Sequence, residues 1–335
     1  MEDGSFSAQA KEKYVLRLPP THSHTHSHTH SSSSVSNKTS TSYRHLVLLG
    51  LGSSPSSNDY KEVGKQIASL AKDIKTPNVD IYLDSDTHTE TNANISSVLR
   101  GLSNSSYNDK RYKGTGSVND TIDTLKSVTF TGVPDGRVSA VTEMLDLHML
   151  TMCGVTVAKD LVGAPPNSKT PLAIGDFARD IAATCENMEC KVLELEECTE
   201  AKMGGFLAVQ QGSKFPPQFI HMTYKNKNTT VAKKRIAIVG KGLTFDSGGY
   251  NLKVGPGSMI EMMKFDMGGM GAVLGAATAV GALDSSLGNH SSLLDGIEVH
   301  FISAVCENMI SRDAMRPGDI VTASNGKTIE ILNTG

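Results

Sequence analysis

The run RIAIVG, from Arg235 to Gly240, is apolar at nearly every position, and a strand buried on both faces is the structure that uses such a run. It leads directly into VGKGLTFDSGGYNLKVGPGSMIEMMKFDMGG, residues 239 to 269, and then into an apolar helical stretch from Gly268 to Leu283. Strand, glycine-rich loop and helix in that order predict a central strand of an α/β sheet, with chemistry at its carboxyl end. The remaining chain must supply the neighbours of that strand.

Several neighbours are legible. IEVHFISAV (Ile297 to Val305) repeats the buried-strand pattern, and QFIHMTYK (Gln218 to Lys225) and KVLELE (Lys191 to Glu196) read as strands, with a turn at Gly204-Gly205 between them. A helix is predicted around Ile174 to Cys185, and Asn325-Gly326 marks a hairpin within Asp319 to Leu332. Upstream, Val138 to Val162 is a long helical pattern running into GAPPNSKTP, where Pro165, Pro166 and Pro171 predict an extended crossing. Earlier still, strands are expected at His45 to Gly52, Val79 to Asp84 and Ser127 to Gly132, and a helix at Ser57 to Ile74. The pair Gly50 and Gly52 lacks the third glycine of a dinucleotide fingerprint, and Pro55 intrudes. Residues 20 to 42 alternate His22, His24, His26, His28 and His30 with Ser and Thr. Such a tract buries too little apolar surface to offset its ordering entropy, so it reads as a disordered, passive insertion with weak affinity for Zn, Ni or Cu.

The expected fold class is α/β. A smaller N-terminal α/β domain spans residues 1 to 137 with the insertion at 20 to 42, an interdomain helix and linker span 138 to 171, and a second α/β domain with a mixed central sheet spans 172 to 335.

The charge balance limits partners. With 32 Lys and Arg against 35 Asp and Glu, the formal charge of -3 offers no basic field for nucleic acid or an acidic membrane, so a small or peptide substrate is expected. Five cysteines without a C-x-x-C pair suggest reduced thiols. The N-terminus lacks the apolar core of a secretory signal and carries Glu2 and Asp3, which suggests a soluble cytoplasmic protein.

Between Lys241 and Asp266 the block holds Lys241, Asp246, Lys253 and Asp266, with glycines that let the backbone approach a ligand closely. Two carboxylates can hold divalent cations, one of them bridging a pair of ions. Positive charge alongside would favour a neutral, coordinating lysine, and a second, protonated lysine could stabilise an oxyanion. Taken singly, each of the four reads more readily as a solvated loop charge or a turn cap; the block as a whole does not.

The block VGKGLTFDSGGYNLK with MKFDMGG resembles the leucyl (cytosol) aminopeptidase family, and its glycine-rich loop resembles the plant-type members. The similarity extends through LVGAPPNSKTP, MGGFLAVQQGS and MRPGDIVTASNGKTIEILNT, over roughly residues 140 to 334. The resemblance implies that Lys241, Asp246 and Asp266 are metal ligands, Asp246 bridging both ions, and that Lys253 is the catalytic lysine. Met263 matches a residue lining the pocket for the substrate's first side chain, so an apolar residue is expected there; the same methionine also suits an ordinary core. It further implies two divalent ions (Mn or Zn), a bicarbonate held by an arginine, peptide substrates and a homo-hexamer. The family signature NTDAEGRL is present only as Asn333-Thr334 followed by Gly335. On that reading two metal ligands and the arginine are missing. The metallopeptidase domain is then truncated, the chain is expected to be inactive alone, and the alternative is a non-catalytic subunit associating with full-length family members.

Overall fold

The computed structural model describes residues 13–18, 44–49, 51, 55–82, 91–114, 125–226, 231–286 and 291–332. The His-rich tract, Gly50, Gly52 and Asn333 to Gly335 lie outside the described residues. Two compact units are present, one of residues 1–106 with 120–137 and one of residues 107–119 with 138–335.

In the first unit β1 (Lys13–Leu18) pairs antiparallel with β2 (Arg44–Leu49), and β3 (Asn78–Tyr82) pairs parallel with β4 (Ser127–Thr131). Helix α1 (Ser57–Asp73) starts where the backbone N–H of Ser56 donates to Asp59 Oδ2 at 2.8 Å, satisfying an otherwise orphaned helix-end donor. Helix α2 (Thr91–Ser106), which the sequence reading did not anticipate, is rich in Ser and Asn, both poor helix formers. Its stripe of Ile95, Val98, Leu99 and Leu102, spaced i, i+3, i+4, i+7, is buried, and this packing overrides propensity. Ile67 of α1 joins Val98 and Leu102 in a small core against Val79 and Val128.

The second unit begins with α3 (Val138–Gly163) and α4 (Pro171–Ala183). Pro171, expected in an extended crossing, is instead the first residue of α4, where a missing N–H goes unnoticed, and Thr170 Oγ1 caps the helix by accepting from Ala173 N at 3.3 Å. Tyr107 Oη donates to Asp160 Oδ1 at 2.7 Å and Arg111 donates to the Asp160 carbonyl at 2.7 Å, which ties the segment from Tyr107 to Arg111 to α3.

Next come β5 (Met188–Leu193), α5 (Leu195–Glu200), α6 (Gly204–Gln210) and β6 (Gln218–Lys225). The expected strand at Lys191 to Glu196 ends early, because Glu197 accepts from the Glu194 N–H at 3.0 Å and starts α5; the predicted Gly204-Gly205 turn opens α6. The chain continues through β7 (Lys234–Asp246), α7 (Gly268–Ser285), β8 (Ile297–Asn308), and the hairpin strands β9 (Ile320–Thr322) and β10 (Thr328–Glu330).

The four-stranded sheet has the order β5-β6-β8-β7 and is mixed: β5 with β6 and β6 with β8 are antiparallel, β7 with β8 parallel. Ile220, Met222 and Phe301 face one side and meet Ile174 and Ala178 of α4 and Val273 and Leu274 of α7 in a buried core. The segment Ile260–Ser285 is long and apolar enough to cross a bilayer, but those buried residues make α7 a core helix. RIAIVG was expected at the sheet centre. Among the described strands it is outermost, leaving Val239 71% exposed.

Candidate active site

Lys241 and Asp246 both lie on β7, which runs past the expected loop boundary at Gly240. Side chains alternate between faces along a strand, so two residues five apart should point to opposite sides. A β-bulge resolves this: Leu243 pairs with Cys306 and Phe245 with Glu307, leaving Thr244 as the extra residue. The frame shifts by one. Lys241 Nζ and Asp246 Oδ2 then stand 3.9 Å apart on one side of the strand.

Beyond Asp246 the chain turns through Gly248 and Gly249, at φ of 87° and 59°, a left-handed region that glycine enters without a Cβ clash. The Asn251 N–H donates to the Gly248 carbonyl at 3.1 Å and the Lys253 N–H to the Ser247 carbonyl at 3.0 Å, which folds Lys253 back onto the strand end. Its Nζ reaches Asp246 Oδ2 at 2.8 Å.

Asp266 arrives from a different element. It follows a 3-10 turn (Ile260–Phe265) and precedes α7, with its N–H donating to the Met263 carbonyl at 3.3 Å. Gly240 and Gly269 bring these elements into backbone contact. A Cβ on Gly240 would strike the Gly269 carbonyl, and one on Gly269 would sit 2.7 Å from Lys241 N. The contact places Asp266 Oδ1 at 2.9 Å and Oδ2 at 3.0 Å from Lys241 Nζ, with Lys253 Nζ at 3.9 Å from Oδ2. Met263 is half-buried in the 3-10 turn. All five residues singled out from sequence therefore fall in one neighbourhood at the end of β7.

Sequence reasoning missed Asn308. Its side-chain N–H donates to Asp246 Oδ1 at 2.8 Å, and its carbonyl accepts from both Ser247 N at 2.9 Å and Ser247 Oγ at 2.7 Å. Only pairing across the β7–β8 register, Asp246 opposite Asn308, reveals it. With the Gly248 N–H at 3.0 Å, Oδ1 is fully occupied. Asp246 Oδ2 is different: it is buried, has Lys253 beside it as an ion-pair partner, and has no hydrogen-bond donor in alignment. Burial pushes the Asp246 carboxyl up, but Lys253, Asp266 and Asn308 together hold it below the usual carboxylate value. Nearby Cys306 is no nucleophile, since burial pushes its thiol up to about 12. All five cysteines are unpaired.

The donor set suits divalent cations. Two carboxylates converge, one with an oxygen lacking an aligned donor, and a lysine nitrogen adjoins both. Among the described residues no group of three or more His, Cys, Asp or Glu is placed to hold a metal ion, however, and the acidic donors beside Lys241 stop at two.

Comparison with known proteins agrees with this arrangement of strand, turn and helix. Residues 156–335 match the cytosol aminopeptidase family, catalytic domain, and residues 26–115 its N-terminal domain. The chain is 44% identical over 292 residues to a probable cytosol aminopeptidase of Synechococcus elongatus, covering 87% of this chain and 55% of that protein. It is 40% identical over 334 residues to the chloroplastic neutral leucine aminopeptidase of Solanum lycopersicum, covering 98% of this chain and 52% of that one. Among solved structures, a tomato leucine aminopeptidase mutant superposes with a TM-score of 0.76 at 35% identity, over 98% of this chain and 56% of the other. The chain spans about half the length of the curated relatives it matches. With its catalytic-domain match covering more than half the sequence and carrying the Lys241, Asp246, Lys253 and Asp266 cluster, the chain belongs to the cytosol aminopeptidase family.

Proposed function

We propose that this chain carries part of the two-metal centre of an aminopeptidase that releases amino-terminal, preferentially apolar residues from peptides. The observation behind the reading is the convergence of Lys241, Asp246, Lys253 and Asp266 around a buried carboxylate oxygen with no aligned donor. Lys241, Asp246 and Asp266 would hold two divalent ions, Mn or Zn. When bound, such ions lower the pKa of a coordinated water and polarise the scissile carbonyl.

Lys253 is 15% exposed and tethered at 2.8 Å to Asp246, so its ammonium is already oriented to donate to the oxyanion that develops on a peptide carbonyl. Asp246 keeps that ammonium in place while Asn308 and Gly248 fix the carboxylate's other oxygen. Lys241, 55% exposed, has room to turn its nitrogen toward a cation. Met263, beside Asp266 in sequence, would contact the substrate's first side chain. The relatives' names divide between cytosol and chloroplast.

A second reading has its own support. With both lysines protonated the four side chains sum to zero charge and pair with one another, and the described residues add no third acidic donor. On this account the chain has little hydrolytic activity by itself and associates with full-length family members, or with copies of itself, in a hexamer.

The test is to express residues 1 to 335, add Mn or Zn, and measure metal uptake by calorimetry and turnover of a leucine chromogenic substrate. The metal-centre reading expects uptake that falls at least tenfold in both Asp246→Asn and Asp266→Asn. Uptake indifferent to both variants would sink it. Turnover near that of a full-length relative would overturn the expected inactivity, and co-purification with such a relative would support the second reading.

A further inference from the structure

On the sheet face turned away from α4 and α7, two histidines meet that the aminopeptidase site does not use. His221 on β6 lies opposite Ile302, and His300 on β8 lies opposite Thr223, so the pair is diagonal across adjacent strands. His221 Nε2 and His300 Nδ1 are 3.0 Å apart, and Thr223 Oγ1 lies 3.5 Å from the first and 3.3 Å from the second. The outer nitrogen of His300, Nε2, is 3.1 Å from Glu298 Oε1, which also accepts from Arg235 Nε at 3.0 Å.

Glu298 fixes the outer side of His300. Desolvation pushes its carboxyl up, but Arg235 and then His300 more than offset this and hold it below its ordinary value, so it is an ionised acceptor. Glu298 therefore accepts from a protonated Nε2 of His300, which leaves Nδ1 on the side of His221. Burial first, then His300 and Lys191, keep His221 below its ordinary value. A proton shared between His221 Nε2 and His300 Nδ1 bridges the two rings. A divalent ion bound between the rings takes the place of that proton, which passes to solvent.

From these contacts we propose that His221 and His300 form a chelating site for a divalent copper or nickel ion, with Thr223 as a neighbouring oxygen and Glu298 orienting His300 from behind. A nitrogen separation of 3.0 Å, with metal–nitrogen bonds of about 2.0 to 2.1 Å, corresponds to a bite of about 95°. That suits cis positions of a square or tetragonal ion better than the wider angle of tetrahedral zinc. A carboxylate behind a ligating histidine is the usual device for fixing its ring. Arg235 is neutralised by Glu298, and Lys191, opposite His221 in the register, is exposed and can turn into solvent. Bound there, the ion ties β6 to β8.

Because His22, His24, His26, His28 and His30 would also take up copper, the test uses the full chain with those five replaced by Ser. Copper(II) is titrated and followed by electron paramagnetic resonance, with thermal melts alongside. The expected result is one equivalent showing coupling to two imidazole nitrogens and a melting temperature that rises with copper. His300→Ala should weaken binding at least tenfold, and Glu298→Gln about tenfold, as losses behind a ligand do. Circular dichroism of the metal-free variants separates lost binding from lost folding, and His221→Asn serves if His300→Ala does not fold. Absence of imidazole coupling in the tract-free chain, or coupling that persists when His221 and His300 are both replaced, overturns the proposal.

Discussion

Asp246 and Asp266 flank the same two lysines but are held in opposite ways. Asp246 sits 1% exposed at the end of a paired strand, with one oxygen bound by Asn308 and the Gly248 N–H and the other beside Lys253. The Asp266 side chain is 23% exposed at the junction of a 3-10 turn and α7, and its partner Lys241 is 55% exposed. One carboxylate is fixed by the fold and the other is left adjustable. On the proposed two-metal reading, the fixed carboxylate would set an ion's position and the more exposed one would adjust to it.

Substitutions should separate the two. Asp246→Asn leaves the Lys253 ammonium without its counter-charge, and the loss should be about 3 kcal/mol, near the lower end for breaking a buried pair because Lys253 can lean toward Asp266. Denaturant titration measures this. Asn308→Ala, which removes the donor to Asp246 Oδ1, should destabilise by about 2 kcal/mol in the same assay, the range for a hydrogen bond to a charged group. Asp266→Asn should change stability by less than about 1 kcal/mol, because its pair with Lys241 is half in water. Equal losses at the two aspartates would erase the contrast.

Acid titration sharpens it. Since the folded chain holds Asp246 below the ordinary 3.8, its contribution is present above that pH and lost as pH falls through the folded value. Stability of the parent chain should therefore fall more steeply below about pH 4 than that of Asp246→Asn.

The smallest effect concerns the support behind Asp266. Lys169 is 1% exposed and donates to the Leu161 and Val162 carbonyls at 3.1 and 2.9 Å, with Met267 Sδ at 3.4 Å. Burial, aided by Lys264, lowers its pKa to about 8 from 10.5. Between those values the unfolded chain holds a proton that the folded chain has released, so stability should rise with pH, and Lys169→Met should flatten that slope in a pH series of melts.

Much of this was legible in the letters. The apolar periodicity of α1, α3, α7, β6 and β8 located those elements within a few residues, and Asn325-Gly326 marked the hairpin. The four charged residues were visible because glycines surround them. What escaped were features fixed by pairing rather than by pattern. Helix α2 hides its apolar stripe among Ser and Asn, and Asn308 gains its role only when β8 lies beside β7. RIAIVG reads as a doubly buried strand, yet among the described strands it lies at the edge.

The extra residue at Thr244 has a consequence for counting. A spacing of five between Lys241 and Asp246 is an odd number, and read as plain strand it would set the two charges back to back. They cooperate only because the ladder skips a rung between them. The same facing could be reached by a spacing of four in an unbroken ladder, so parity and bulge should change together. A chain that alters one without the other would keep every charged letter of the motif and lose the meeting those letters spell.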